Sequence, residues 1–161
     1  MAALFDPASK SAAELQELVN AARARGVEIS THRVGKAEEI LPAIDAAQAA
    51  GAAALNVLAT VLLHANRQLI LERTTALRIP AIYQFPETAE QGGFAAYGPR
   101  LEHIYRQVAV QIARLLRGER PQDLPVQQAT TFELVINLKT ANSIGLAVPE
   151  SFLIRADKVI E

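Results

Sequence analysis

Short apolar runs of strand length alternate along the chain with stretches in which apolar residues recur at helical spacing. Parallel strands are buried on both faces, so they appear in a sequence as continuous apolar runs, and each is joined to the next through a helix. The alternation therefore predicts an α/β fold with an open, mostly parallel sheet and helices on both faces. The runs predict strands near residues 2–5, 27–34, 53–58, 80–83, 94–97 and 132–138.

Capping residues mark the ends of the predicted helices. Ser11 and Glu14 have the spacing of a capping box, which predicts a first helix over residues 11–25. Further helices are predicted over 36–50 and 62–77 by the same periodicity.

The most regular helix is predicted after Gly98, with Gly98 as its cap and Pro99 at its first position. Gly118 is predicted to end it. Its apolar residues fall on one side, and we expect that side to be buried. The stripe consists of Leu101, Ile104, Tyr105, Val108, Ile112, Leu115 and Leu116.

Composition limits the classes of protein that fit. The chain has 161 residues, 50% hydrophobic and 20% charged, with a formal net charge of -1, so we expect one folded domain over residues 1–161. Basic residues form no block, which argues against a nucleic-acid partner. The sequence contains no cysteine, which excludes disulfides and thiolate metal sites.

Motifs for catalysis and cofactor binding are not found in the sequence. The motifs G-x-S-x-G, G-x-x-x-x-G-K-[ST] and G-x-G-x-x-G do not occur. The three histidines, His32, His64 and His103, have no metal-ligand spacing. We therefore expect a protein that is not an enzyme and that has no metal and no cofactor.

The sequence as written begins without a basic segment followed by an apolar one, the pattern of a secretory signal peptide. The apolar stretch over residues 49–61 is shorter than the about 20 residues that span a bilayer. On these grounds alone, the chain as written would remain in the cytoplasm.

Five aromatic residues surround an irregular stretch between residues 84 and 93, near the ends of predicted strands. In open α/β sheets, ligands bind beyond the carboxyl ends of the strands, so these aromatic side chains are candidates for a ligand site. For Phe94 and Tyr105, the role of an ordinary core residue is favoured over that of a ligand contact. The five are Tyr83, Phe85, Phe94, Tyr97 and Tyr105.

Segments spread over nearly the whole chain resemble the substrate-binding proteins of ABC transporters, in the branch associated with tryptophan and aromatic amino acids. The carboxyl-terminal segments, residues 123–128 (DLPVQQ), 132–141 (FELVINLKTA) and 155–161 (RADKVIE), carry the strongest resemblance. The others are residues 58–60 (LAT), 65–68 (ANRQ), 79–85 (IPAIYQF), 92–93 (GG), 97–99 (YGP) and 105–107 (YRQ).

The resemblance implies a type I periplasmic-binding-protein-like fold, of which this chain is similar to the carboxyl-terminal lobe. Such proteins have two α/β lobes that close on a ligand, and they are about twice as long as this chain. The implied function is to bind a small organic solute, such as an amino acid or aromatic compound, for an ABC permease. The implied location is the periplasm or the membrane surface.

The resemblance also implies which residues face the ligand: Thr60 after the third strand, Tyr83 and Phe85 after the fourth, and Tyr97 and Gly98 before the long helix. We expect Thr60, Tyr83 and Tyr97 to converge on one side of the sheet at its carboxyl edge. The sequence departs from the family pattern nearby, at Val61, His64, Pro86 and Thr88.

An alternative function is that of a single lobe that acts only as a self-associating structural or interaction protein without a ligand. The tail, about residues 146–161, is apolar but shows no long regular element, so we expect it to pack on a partner and to form a homodimer. The residues expected in this patch are Phe132, Leu134, Val148, Phe152, Leu153 and Ile154.

Overall fold

A computed structural model describes residues 1–9 and 11–161, and its centre is a seven-stranded open sheet with the order β2-β1-β3-β4-β5-β6-β7. The first five strands are parallel, β6 runs antiparallel to β5, and β7 runs parallel to β6. The predicted α/β class is therefore confirmed. The strands are β1 (Ala2–Phe5), β2 (Ser30–Arg33), β3 (Leu55–Val57), β4 (Ala81–Tyr83), β5 (Ala95–Gly98), β6 (Glu133–Asn137) and β7 (Lys158–Ile160).

Eight α-helices and two single-turn 3-10 helices, Ala37–Glu39 and Pro121–Asp123, connect the strands in the described part of the chain. Across residues 1–9 and 11–161, no helix has the length and apolar character needed to cross a membrane. The α-helices are α1 (Ala12–Ala24), α2 (Ile40–Ala49), α3 (Val61–Ala65), α4 (Arg67–Ala76), α5 (Pro86–Glu90), α6 (Leu101–Leu116), α7 (Leu138–Ser143) and α8 (Glu150–Leu153).

The predicted capping box starts α1. The Glu14 backbone N–H donates to the Ser11 hydroxyl at 3.2 Å, and the Ser11 N–H donates to the Glu14 carboxylate at 2.8 Å. These bonds satisfy two backbone donors that the first turn of a helix leaves without partners.

The core lies where β1 and β3 meet α2 and α4. Leu4, Ile44, Leu55 and Ile70 are at most 1% exposed and belong to one apolar cluster. Each such side chain contributes about 1.5–3 kcal/mol by leaving water, so this half of the sheet is the stable base of the fold.

The predicted third helix is divided into α3 and α4 at Asn66. The Asn66 side-chain amide donates to the Leu62 carbonyl at 2.9 Å, and its backbone, with φ −101° and ψ 19°, departs from helical geometry. An asparagine side chain competes for backbone groups in this way, and periodicity alone does not reveal it.

The tail has no long regular element, but it contains a short strand, β7, that the sequence does not predict. The Asp157 N–H donates to the Leu134 carbonyl at 2.9 Å, and the Leu134 N–H donates to the Asp157 carboxylate at 2.7 Å. Val148, Phe152 and Leu153 are half-buried, whereas Phe132 and Ile154 are exposed. The last residues of the tail thus pair with the sheet of their own chain, and the expectation that the tail also packs on a partner stays a prediction.

The expectation that the stripe of α6 is buried is wrong, because no residue of this helix is buried. Tyr105 is 66% exposed and Leu116 is 82% exposed. A helix that joins two parallel strands must cross back over the sheet, but the strand after α6 is antiparallel, so α6 is free to leave the sheet. The helix also begins later than predicted: its cap is Arg100, and Gly98 ends β5.

Candidate functional site

A groove of about 360 Å³ lies at the carboxyl edge of the parallel strands. Ser9 follows β1, Thr60 follows β3 and Phe85 follows β4, and the first two turns of α6 form the opposite wall. This edge is where open α/β sheets place their ligands, and the volume lies in the range of small-molecule sites. The lining residues are Ser9, Ala59, Thr60, Val61, His64, Phe85, Leu101 and Tyr105.

Asp6 organises the turn that brings Ser9 to the groove. The residue is 8% exposed, and its carboxylate accepts hydrogen bonds from the Ala8 N–H at 2.8 Å and the Ser9 hydroxyl at 3.1 Å. Side-chain bonds of this kind let an aspartate fix a turn without further secondary structure. The hydrogen bond to the buried Asp6 therefore fixes the position of the Ser9 hydroxyl at the groove.

Thr60 provides a second hydroxyl and is the cap of α3. Its Oγ1 accepts the Leu63 N–H at 3.2 Å, and the residue is buried. A hydroxyl that accepts one hydrogen bond keeps a hydrogen to donate. Thr60 can thus serve both the helix and an acceptor group of a bound molecule.

His64 and Phe85 form an aromatic pair in the groove, with ring centroids 5.2 Å apart and planes at 77°. Burial lowers the pKa of His64 below its usual value, and the charge of Arg67 lowers it further, while Glu87 opposes the shift. The imidazole is therefore neutral at neutral pH and offers an aromatic edge with one donor and one acceptor.

Glu87 connects the groove to the start of α6. Its Oε1 accepts the Leu101 N–H at 3.0 Å, and Leu101 lines the groove. The other oxygen, Oε2, is buried without a hydrogen-bond partner among the described residues. Glu87 thus determines where the α6 wall begins.

Among the residues predicted to face a ligand, the structure brings Thr60 and Phe85 together in this groove. Tyr83 lies in the core at 4% exposure, with its hydroxyl 3.4 Å from the Thr74 hydroxyl. Burial raises the pKa of Tyr83 to about 12. Tyr83 therefore supports the groove from within the core and is not one of its lining residues.

Tyr97 and Gly98 also lie outside the groove lining. Tyr97 is exposed and contacts Phe132, with ring centroids 5.9 Å apart. A Cβ at Gly98 would overlap the Gln84 carbonyl oxygen, so glycine permits the close approach of β5 to the end of β4.

The expected convergence of Thr60, Tyr83 and Tyr97 on one side of the sheet is wrong. Tyr83 is level with Ala96 in the pairing of β4 with β5, and successive side chains along a strand point to opposite faces. Tyr97 therefore projects from the face opposite to Tyr83.

The sequence does not single out Ser9 or Leu101 as groove residues, and it places His64 near the site only as a departure from the family pattern, but Ser9 carries a signal that identifies it. It follows the turn after a predicted strand, the same position that Thr60 occupies after β3. The sequence places Leu101 and Tyr105 in a buried stripe, with Tyr105 also among the aromatic candidates for a ligand site, and their position at the groove depends on the direction in which α6 leaves the sheet.

The groove is lined by hydroxyl, aliphatic and aromatic side chains. Within residues 1–9 and 11–161, no three His, Asp or Glu residues are grouped so that they could bind a metal ion. Such a lining suits a small organic molecule with an apolar body and a few polar groups.

The open sheet with its groove at the carboxyl edge is one lobe of a type I periplasmic-binding-protein-like fold. The family model "ABC transporter substrate binding protein" matches residues 1–160, and the chain belongs to this family. Members of the family bind substrates and in general are not enzymes. No curated protein matches the chain significantly.

Solved structures that share the fold include the following three. A conserved domain protein from Vibrio cholerae has a TM-score of 0.86 at 24% identity, over 98% of this chain and 53% of its own. An ABC domain from Streptococcus pneumonia in complex with L-Trp has a TM-score of 0.86 at 24% identity, over 99% of this chain and 54% of its own. A ligand-free, open substrate-binding protein with adhesive properties from Clostridium difficile has a TM-score of 0.66 at 17% identity, over 99% of this chain and 53% of its own. The chain thus spans about half the length of these proteins.

Proposed function

We propose that this chain provides one side of the binding cleft of an ABC transporter substrate-binding protein and takes a small organic solute, such as an amino acid or aromatic compound. The observation that carries the proposal is the groove in which Thr60, His64 and Phe85 meet at the carboxyl edge of the sheet. Family membership supports the role, and the neighbour in complex with L-Trp supports the class of solute.

The groove offers separate surfaces for the apolar and polar parts of such a solute. Phe85, His64 and Tyr105 present aromatic surface, and edge-to-face ring contacts contribute about 0.5–1.5 kcal/mol beyond burial. The Thr60 hydroxyl keeps a hydrogen that would orient a carboxylate or carbonyl oxygen of the solute, whereas the Ser9 oxygen, whose hydrogen goes to Asp6, would accept from a donor group of the solute.

The other residues assigned by resemblance have supporting roles in this proposal. Gly98 allows β5 to approach Gln84, the residue before Phe85, and Tyr83 fills the core beside it. Tyr97 lies on an exposed face, where it would contact a ligand only if that ligand extended beyond the groove.

The natural partner of such a protein is an ABC permease, and the family is typically extracellular or periplasmic. The groove is open on one side, so a solute bound to this chain alone keeps part of its surface in water. Affinity for the isolated chain is therefore expected to be lower than that of a cleft which encloses the ligand on both sides.

Titration with L-Trp, followed by NMR of the labelled chain, tests the proposal. We expect resonances of Thr60, His64 and Phe85 to shift, and Phe85→Ala to weaken binding by about tenfold, because it removes an aromatic contact and apolar area. Phe132→Ala is the matched control, since Phe132 is an exposed aromatic residue that does not line the groove. The proposal would be contradicted if none of L-Trp, L-Phe and indole shifted these resonances.

A second candidate function is self-association without a ligand. The specific observation that favours it is the exposed apolar side of α6. Binding of L-Trp in the groove distinguishes the two candidate functions, because a protein that only self-associates is not expected to bind L-Trp.

A further inference from the structure

The groove at the carboxyl edge of the sheet has a lining without Asp, Glu, Lys or Arg among the described residues, but carboxylates support it from behind. Asp6 lies behind Ser9, with a carboxylate oxygen 3.1 Å from the Ser9 hydroxyl. Glu87 lies behind Leu101 and accepts its N–H at 3.0 Å. The formal charges nearest to a solute in this groove therefore belong to the residues that hold the lining in place.

Three features of the site that could attract an anion are already engaged. The start of α6 has the positive end of the helix dipole, but Glu87 accepts the Leu101 N–H there. The Arg67 guanidinium donates to the Gln91 side chain at 2.6 Å and to the His64 carbonyl at 3.2 Å, and it does not line the groove. The His64 imidazole is neutral at neutral pH, because burial and then Arg67 lower its pKa.

A carboxylate bound in the groove would therefore depend on neutral donors such as the Thr60 hydroxyl. Neutral hydrogen bonds replace only part of the hydration that an ion loses on burial, and no opposite charge in the lining offsets the rest. The groove can orient a carboxylate, but it does not neutralise one.

An ammonium group finds better surroundings at the Ser9 end of the groove. The Ser9 hydroxyl gives its hydrogen to Asp6, so its lone pairs remain to accept from an N–H group. Asp6 is 8% exposed, and none of the ion pairs within residues 1–9 and 11–161 involves it, so its negative charge acts on the groove with little screening. The aromatic faces of Phe85 and Tyr105 also attract cations.

We propose that the groove selects solutes that carry a positively charged amino group, which lies at Ser9 beside Asp6 while an aromatic part of the solute packs against Phe85. The inference rests on the proposed function, because it concerns the solute of the same groove. It adds that the amino end of the solute determines selectivity. An aromatic amine without a carboxylate is therefore a better ligand than an aromatic acid without an amine.

Three indole compounds test this selectivity, because they differ only in the group at the end of the side chain. Tryptamine carries an ammonium, indole-3-propionate carries a carboxylate, and 3-ethylindole carries neither. In NMR titrations of the chain at neutral pH and constant salt, we expect tryptamine to bind about tenfold more tightly than indole-3-propionate, with 3-ethylindole between them. The Ser9 amide resonance should shift more with tryptamine than with 3-ethylindole.

Asp6→Asn and Glu102→Gln form a matched pair of variants, since each removes one negative charge. Asparagine keeps an acceptor oxygen for the turn at Ser9, so the groove should persist while affinity for tryptamine falls by about threefold to tenfold. Affinity for 3-ethylindole should stay the same, which shows that the groove is intact. Glu102 is exposed and pairs with Arg106, so Glu102→Gln should leave the preference for tryptamine unchanged.

The possible failures of the inference and of the proposed function are distinguishable. If the unmodified chain binds indole-3-propionate as tightly as tryptamine, or more tightly, the inference is overturned and the proposed function stands. The same holds if Asp6→Asn keeps the full preference, or if Glu102→Gln loses as much of it as Asp6→Asn does. If the chain binds neither these compounds nor L-Trp, the proposed function fails and the inference fails with it.

Discussion

The Nε atom of Arg100 lies 2.7 Å from the Oε2 atom of Glu133, which joins the point where the chain leaves the sheet after β5 to the point where it returns in β6. Arg100 also contacts Glu90 at 3.1 Å, and Glu90 contacts Lys158 of β7 at 2.8 Å. These ion pairs connect α5, the start of α6 and the last two strands. They therefore set the position from which α6 extends.

We expect Arg100→Ala to lower the free energy of unfolding by about 1–3 kcal/mol, because two carboxylates lose a charged hydrogen-bond partner in a partly buried place. Urea denaturation measures this value. Arg106→Ala is the control, since the Arg106–Glu102 pair is largely exposed and should contribute less than about 0.5 kcal/mol. Equal losses in the two variants would contradict a special role for Arg100.

Glu90 should make the chain less stable in acid. The hydrogen bond from Lys158 lowers the pKa of Glu90 below its usual value of 4.5, and Arg100 adds to this effect against desolvation. Because the pKa is lower in the folded state, the contribution is complete above pH 4.5 and is lost as the pH falls through the folded-state pKa. Unfolding curves across this range should show a weaker pH dependence for Glu90→Gln. If the stability of Glu90→Gln depended on pH as strongly as that of the unmodified chain, Glu90 would not contribute to acid sensitivity.

His64 should titrate below its usual pKa of 6.5, because burial and then Arg67 disfavour its charged form. The unfolded chain therefore takes up a proton at a higher pH than the folded chain does, and stability falls as the pH is lowered from 6.5 through the folded-state pKa. NMR titration of the imidazole measures the shift, and Arg67→Gln should raise the pKa of His64. A His64 pKa above 6.5 in the unmodified chain would contradict the observed environment.

Gly98→Ala should destabilise the chain by about 1–3 kcal/mol, because the added Cβ overlaps the Gln84 carbonyl oxygen and must push β4 from β5. Thermal unfolding measures the loss. Gly35→Ala is a suitable control, since the nearest atom to its Cβ would be a Glu39 carboxylate oxygen at 3.6 Å, an ordinary contact. Equal stability of Gly98→Ala and the unmodified chain would show that the strands can separate without cost.

The sequence predicts the parallel part of the sheet well, because buried strands are largely apolar on both faces, as β1 is throughout. The same property hides the orientation of their side chains. Around Tyr83 both faces are buried, so alternation does not reveal that its ring points toward Thr74. The capping box of α1 was predictable because Ser11 and Glu14 make their bonds within one turn.

The direction of α6 and the presence of β7 could not be predicted, for a different reason. Periodicity shows which side of α6 is apolar, but what covers that side depends on whether the next strand is parallel or antiparallel. β7 has only three residues, and its pairing with β6 involves residues more than twenty positions away in the sequence. Ser9 and His64 reach the groove through such long-range placement as well.

Tyr105 belongs both to the wall of the groove and to the exposed apolar side of α6. A molecule that covered this side of the helix would therefore change the surroundings of a solute in the groove. By thermodynamic linkage, the factor by which such a molecule altered solute affinity would equal the factor by which the solute altered affinity for that molecule. One tyrosine ring would then couple the groove to the outer side of the helix.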